Sequence, residues 1–302
     1  MRVTQNMLAN NSLTNLSQSY SRLGELQEQL STGKKITKPS DDPVVAMKGM
    51  YYRSNLTSIE QYKRNLSEMY LWLETSEAGM EQANAGLQRI RELTVKGLNG
   101  TLSPEDQEAV AEEIEQIKLD LVSTAETKIS GRYIYHGTDV DQSPIKQTNP
   151  PIVADNINEA NPLYNPLLDD YKVEVSEGVY LKANVNPTKV FSQKLFDTVQ
   201  GIEDVLKGNS SQSLDTLLSD LDDVIGTLSA ERSELGARYN RLEMVEDRLN
   251  QQEINASRVL SDNEDVDMEK VIIDLTIQES IHRAALSAGA QIIQPTLLDF
   301  LR

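Results

Sequence analysis

Cysteine is absent from the sequence. Neither disulfide staples nor thiolate metal sites are available, and the chain is indifferent to the redox state of its compartment. Aromatic residues are scarce, 5% of the chain, with Trp72 as the one tryptophan and three phenylalanines. A compact core of this length ordinarily uses more large rings, so burial is expected to come from aliphatic seams between helices. Basic residues are outnumbered, 29 Lys and Arg against 47 Asp and Glu, for a formal charge of −18. Most of such a surface would repel a phosphate backbone, which argues against a nucleic-acid partner. No stretch approaches the roughly eighteen consecutive apolar residues of a membrane span, so membrane insertion is not expected. "MRVTQNMLANNSLTNL" carries one basic residue and polar interruptions throughout. It lacks the apolar centre of a Sec-type signal peptide, and no cleaved signal is expected.

What is present is helical periodicity over about two domains' worth of chain. Ala9, Leu13, Leu16, Tyr20, Leu23, Gln27 and Leu30 alternate steps of four and three, a heptad seam along one helix face. The seam stops at "LSTGKKITKPSDDPV". Gly33 suits a left-handed C-cap there, and Lys34 and Lys35 either complement the negative end of the helix or meet an acidic neighbour. Pro39 and Pro43 set a turn and a restart, with Ser40, Asp41 or Asp42 capping the helix that follows. That second helix keeps its three–four alternation from Ile59 through Leu66, Leu73, Met80 and Leu87 to Thr94. From Val44 to Leu98 it would extend about 80 Å, which predicts a rod and not a globule. "NGTLSPEDQ" ends it, with Ser103 as N-cap of a third, antiparallel helix whose seam is Val110, Ile114, Ile117, Leu121 and Thr124.

The period changes at "ISGRYIYHGTDV", where Tyr133, Ile134 and Tyr135 read as a strand between glycine turns. Prolines 144, 150, 151, 162, 166 and 187 follow, and "YKVEVSEGVYLKANV" alternates as two strands about Glu177-Gly178. Helix returns after Phe191, with Leu214, Leu221, Ile225, Leu228, Leu235, Tyr239, Leu242 and Leu249 on one seam. A last helix runs from about Met268 to Ile293, ending in the apolar "QPTLLDFLR". The expected fold is mainly α, an elongated helical rod with terminal coiled-coil helices and a small β-rich insert. Its expected division is an N-terminal assembly helix (1–42), a first part of the rod (43–137), the insert (138–190), a second part of the rod (191–260) and a C-terminal assembly helix (261–302). The two outermost helices have only each other or another molecule to pack against, so they are expected to be disordered in the free monomer and to fold on assembly.

Enzyme chemistry finds no constellation. His136 and His282 are the two histidines, and no nucleophile elbow or oxyanion glycine motif accompanies either. Solvated or packing roles fit them better than catalysis. "SDNEDVDMEK" lacks the central glycine and the distal glutamate of a calcium loop, so its carboxylates are better read as complementing a helix N-terminus. "STGKK" lacks the spacing and the preceding strand of a phosphate loop. No catalytic, cofactor-binding or metal site is expected, and no cofactor.

Four stretches taken together resemble the flagellin superfamily: the N-terminal heptad helix, "LSTGKKITKPSDDPV", "LQRIRELTVKGLNGT", and the C-terminal "SRVLSDNEDVDMEKVIIDLTIQESIHRAALSAGAQIIQPTLLDFLR". The likeness covers roughly residues 1–138 and 200–302 and leaves out the β insert. "ITKPSDDPVVA", the form of the C-terminus and the short insert are more similar to the hook–filament junction proteins of the superfamily than to its filament subunits.

The resemblance implies a structural role in the bacterial flagellum, as a ring of copies of the chain between a FlgK-type junction protein and the flagellin filament. It implies export through the flagellar type III apparatus to the cell exterior, with a FlgN-type chaperone holding the C-terminal region beforehand. It further implies that the terminal helices pair, which would match Leu13, Leu16, Tyr20, Leu23 and Leu30 with Leu275, Ile281, Ala288 and Ile292. Gln88, Arg89 and Glu92 would serve subunit packing. The alternatives are a flagellin or, from another class, a coiled-coil adaptor or chaperone.

Overall fold

The computed structural model describes residues 5–98, 103–163 and 170–293. Among these residues, seven helices and six short strands appear in chain order: α1 (Gln5–Thr32), α2 (Pro43–Leu98), α3 (Pro104–Ala125), β1 (Lys128–Ile129), β2 (Arg132–Tyr133), β3 (Ile145–Lys146), β4 (Ile152–Val153), β5 (Lys172–Ser176), β6 (Val179–Lys182), α4 (Pro187–Val190), α5 (Gln193–Leu206), α6 (Leu214–Glu264) and α7 (Met268–Ile293). The chain divides into two compact units, one of residues 59–250 and one of residues 1–58 with 251–302. The expected boundaries at 42/43 and 260/261 both lie inside the second of these units.

In the unit of residues 59–250 the periodicity translates directly into burial. Leu66, Met69, Leu73, Met80, Leu87 and Ile90 of α2 are buried, as are Val110, Ile114 and Leu121 of α3 and Leu221, Leu228, Leu235, Leu242 and Leu249 of α6. At ~25 cal/mol per Å² of apolar surface, each such leucine stabilises the fold by about 2 kcal/mol before entropy is counted. Polar bridges mark the register. Arg89 reaches Glu113 at 2.7 Å, Tyr70 reaches Glu246 at 2.7 Å and Arg91 reaches Asp222 at 2.6 Å, so α3 and α6 both run antiparallel to α2. Ser103 caps α3 by accepting from the Asp106 N–H while the Asp106 carboxylate takes the Ser103 N–H, a capping box that satisfies two end donors. Between α3 and α5 the ammonium of Lys118 lies buried, 2.5 Å from Glu203 and 2.7 Å from Gln200. Paired and hydrogen-bonded, that charge is tolerable where a lone one would not be.

The segment after α3 differs from expectation. Only Arg132–Tyr133 forms a strand, pairing antiparallel with Lys128–Ile129 about Ser130 and Gly131, both at positive φ. Ile134, Tyr135 and His136 turn inward and are buried. Tyr135 stacks edge-on against Phe191 at 4.8 Å and donates to the Ser76 carbonyl at 2.8 Å; burial pushes its phenol far up. His136 packs between the Gln142 carbonyl at 2.7 Å and the Asn156 side chain at 3.0 Å, a structural position. The hairpin of β5 and β6 turns at Gly178, as the alternating pattern predicts, with φ at +69°. It packs onto the bundle through Trp72 and Tyr171, and Arg238 donates to the Asn184 carbonyl.

The returning helix is two helices. Gly208 at φ +74° closes α5, and residues 209–213 intervene before α6, because "KGNSSQS" offers turn residues where an uninterrupted helix would need periodic apolar ones.

Candidate functional site: the paired terminal helices and their hinge

The unit of residues 1–58 and 251–302 is built differently. Its long faces are mostly half-buried, with Ser19 and Val271 as buried positions, and most of its fixed points are polar. α1 packs along α7. On α1 the positions drawn toward the partner are Leu16, Ser19, Leu23, Leu26 and Leu30; on α7 they are Val271, Leu275, Gln278, His282 and Ala285. Both series step by three and four, the spacing of a two-helix seam.

Leu16, Leu23, Leu30 and Leu275 therefore lie in the seam where the sequence places them. Leu13 and Tyr20, at 54% and 69% exposure, do not, and neither do Ile281 at 50% nor Ala288, which is exposed. Ile292 has its side chain outside the described residues, as do Leu297, Leu298, Phe300 and Leu301 altogether. The seam is rotated because its centre is polar. The buried Ser19 accepts from the Gln278 side-chain amide at 3.0 Å, and a ring nitrogen of His282 lies 3.3 Å from the same hydroxyl. Tyr20 folds over His282 from outside, ring centroids 6.1 Å apart. A small serine lets the helices approach, and its hydrogen bonds reward one register. Hydropathy alone carries no trace of this, since Ser19 and Gln278 read as surface residues.

The other face of α7 is apolar and uncovered. Ile273, Ile277 and Ile281, spaced by four, are exposed by 59%, 52% and 50%. With Ala284 and Ala288 they form a stripe distinct from the α1 seam.

At the base of this helix pair the α1–α2 turn meets the α6–α7 turn. Gly33 takes φ +69°, and its N–H closes on the Gln29 carbonyl at 2.8 Å. Its own carbonyl accepts from Val266 at 2.9 Å, and the Lys35 N–H donates to Glu264 O at 2.7 Å, so the two turns share a short antiparallel bridge. Pro39 occupies the second position of a turn closed by the Asp41 N–H on Lys38 O. Here the aspartates divide their work. Asp41 braces the loop by accepting from the Lys38 and Thr37 N–H groups, which lower its pKa. Asp42 alone caps α2, accepting from Val44 at 2.9 Å and Val45 at 3.1 Å, with Pro43 in the first helical position.

The lysine question is answered by contact. Lys34 Nζ lies 2.8 Å from Glu264 Oε2 and 3.6 Å from Asp265, and Lys35 Nζ donates to the Asp262 carbonyl at 2.6 Å. Arg53 of α2 reaches the same Glu264 oxygen at 2.7 Å. Glu264 is 97% buried and is the centre of the site. Burial pushes its carboxyl up, but the hydrogen bonds from Arg53 and Lys34 outweigh that and hold it below the usual carboxylate range. Gly49 faces it across α2, and a methyl group there would collide with the carboxylate. Sequence reading missed Glu264, Gly49 and Arg53. The acidic run "SDNEDVD" and the basic "GKK" were the available signal, but which carboxylate is central depends on the crossing of α2 and α6.

Gln88, Arg89 and Glu92 lie on the exposed face of α2. Arg89 is bound within the chain, to Glu92 at 3.1 Å and Glu113 at 2.7 Å, and the hydrogen bond that it donates to Glu113 raises its pKa.

Two family models match the chain: the bacterial flagellin N-terminal helical region over residues 3–139, and the bacterial flagellin C-terminal helical region over residues 218–301. The flagellar hook-associated protein 3 of Salmonella typhimurium is 23% identical, covering 94% of this chain and 95% of its own. The flagellin of Bacillus subtilis is 27% identical over the whole of both chains. The crystal structure of Bacillus cereus FlgL matches 70% of this chain and 99% of its own with a TM-score of 0.57 and 20% identity, a likeness of fold.

Proposed function

Because the chain belongs to the bacterial flagellin family, through both its N-terminal and C-terminal helical regions, we propose that it is a structural subunit of the flagellar hook–filament junction. In this reading the chain is a building part of the flagellum and not an enzyme. In this reading copies of the chain form a ring whose lower face meets a FlgK-type junction protein and whose upper face starts the flagellin filament. Export through the flagellar type III apparatus, escorted by a FlgN-type chaperone, belongs to the same reading and would place the chain outside the cell.

The observation that carries it is the double-faced α7. One face is engaged by α1, while Ile273, Ile277 and Ile281 stay in water. A stripe of that kind on a monomer marks an interface, and burying three isoleucines would contribute several kcal/mol, about 2 each. A hook-associated protein and a flagellin match the chain over comparable lengths, so the junction is favoured over the filament by "ITKPSDDPVVA", the form of the C-terminus and the short insert, and in this reading the hinge Gly33, Pro39, Asp41, Asp42 and Pro43 delimits the helices that assemble. Gln88, Arg89 and Glu92 retain room for subunit packing, because the Arg89 bridges leave the glutamine and the outer glutamate exposed.

Immunogold labelling of isolated flagella with antibody to the β insert tests the proposal. A single narrow band where hook meets filament is expected. Label distributed along the filament would make the chain a flagellin, and its absence from flagella would favour an adaptor or chaperone.

A further inference from the structure

Away from the terminal helices, α2 and α6 enclose a surface groove made of two adjoining pockets of about 460 and 440 Å³ that share Glu74 and Tyr239. Its floor is Leu73 and Leu235, and Gly236 leaves open space above the α6 backbone. Tyr70 and Tyr239 stand edge to face at 5.3 Å along one side. The Tyr70 hydroxyl donates to Glu246 at 2.7 Å, and burial together with that carboxylate raises the phenol's pKa. Glu74 and Glu243 lie beside the rings, and neither has an ion-pair partner among the described residues. Arg232, the one cation lining the groove among the described residues, is engaged by Glu77. Aromatic faces bordered by unneutralised carboxylates, over an apolar floor, form a receptor for a cationic side chain with an alkyl stem.

The chain also carries a matching ligand. The β1–β2 hairpin turns tightly through Ser130 and Gly131, both at positive φ, and exposes Lys128 and Arg132. Lys128 lies 4.2 Å over the ring of Tyr133, and neither cation has a carboxylate partner among the described residues. On a molecule with 18 net negative charges, two copies repel on average, and an exposed hairpin carrying two cations with no carboxylate partner among the described residues is a place where that repulsion turns to attraction toward those carboxylates. We propose that the Tyr70–Tyr239 groove receives the Lys128–Tyr133 hairpin of a second copy of this chain. Groove and hairpin are different surfaces, so the contact is head-to-tail and propagates around a ring instead of closing as a dimer. The inference rests on the reading that copies assemble, but its test needs neither hook nor filament.

Isotope-labelled and unlabelled full-length chains are mixed at high concentration and treated with a zero-length carbodiimide, and mixed-isotope peptides are sought by mass spectrometry. Links joining Lys128 of one copy to Glu74 or Glu243 of another are expected. Filling the groove by Gly236→Leu should cut them about tenfold while leaving the melting temperature equal or higher, since leucine is the better helix former. Arg132→Glu, at an exposed position, should cut the Lys128 links similarly, and mixing it with a Glu243→Lys chain should restore the links to Glu74. Links found only within one isotope, no hybrid links at all, or hybrid links indifferent to both Gly236→Leu and Arg132→Glu would overturn the proposal.

Discussion

The polar contacts at the base of the terminal unit converge on Glu264. It gathers Lys34 and Arg53, its backbone oxygen accepts from Lys35, and Gly49 makes room for its carboxylate. Because Lys34 and Arg53 are partly exposed, they rehydrate if the carboxylate is lost. Glu264→Ala should therefore cost about 1–3 kcal/mol, seen as earlier melting of α1 and α7 while the 59–250 bundle is unchanged. Gly49→Ala should do comparable damage without removing any charge. The pH dependence follows from the lowered pKa. Folded Glu264 binds protons less readily than the unfolded chain, whose ordinary value is 4.5. Its stabilisation is complete above that value and is lost as the pH falls through the lower, folded one; helicity of the terminal unit followed by circular dichroism should show the loss there, and Glu264→Gln should abolish it. In the bundle, Glu203→Ala would strand Lys118 in a buried site and should cost about 3–5 kcal/mol in urea unfolding.

At the scale of elements, α7 presents two faces, one packed on α1 and one that the proposal assigns to assembly. Leu275→Asp places a charge in the α1 seam and should abolish both the α1–α7 pairing and assembly, with the helicity of α2, α3 and α6 intact. Ile277→Asp, on the outer stripe, should leave the pairing intact and abolish assembly alone, as hydrogen exchange of α1 amides and a motility assay would reveal. Equal behaviour of the two variants would mean that the faces are not distinct. Lys34→Gln with Lys35→Gln should give an assembly defect that deepens with salt, because only the surviving Arg53–Glu264 pair, exposed on its arginine side, remains. How legible this was depended on the kind of contact. Heptads in α2, α3 and α6 were readable because their neighbours lie in the same bundle and bury leucines in register. The caps at Ser103, Gly33 and Pro43 were readable because local backbone chemistry dictates them. The α1–α7 register was not, since it is decided by Ser19, Gln278 and His282, three polar residues whose meeting is a tertiary fact. The break between α5 and α6 was passed over because heptad spacing on both sides masked five turn residues.

For the whole molecule, the two units differ in what holds them. Residues 59–250 have buried aliphatic seams, a buried ion pair and packed aromatic rings. The terminal helices have a half-buried seam, a polar lock and a single buried carboxylate. Local opening should follow that difference, so that α1 and α7 of the isolated chain are cut by protease first and become resistant in assembled junctions. Equal resistance of both forms would show that the helices need no neighbours. In the proposed reading such a subunit would gain its last contacts from copies on either side, which would suit a component laid down once between two other structures.

The central claim, a junction and not a filament subunit, is tested most directly by deleting the gene and assaying flagellin in the culture medium. The account predicts cells with hooks, without filaments, releasing unassembled flagellin into the medium. Filaments of normal length on the deletion strain, or loss of flagellin itself from cells and medium alike, would contradict it.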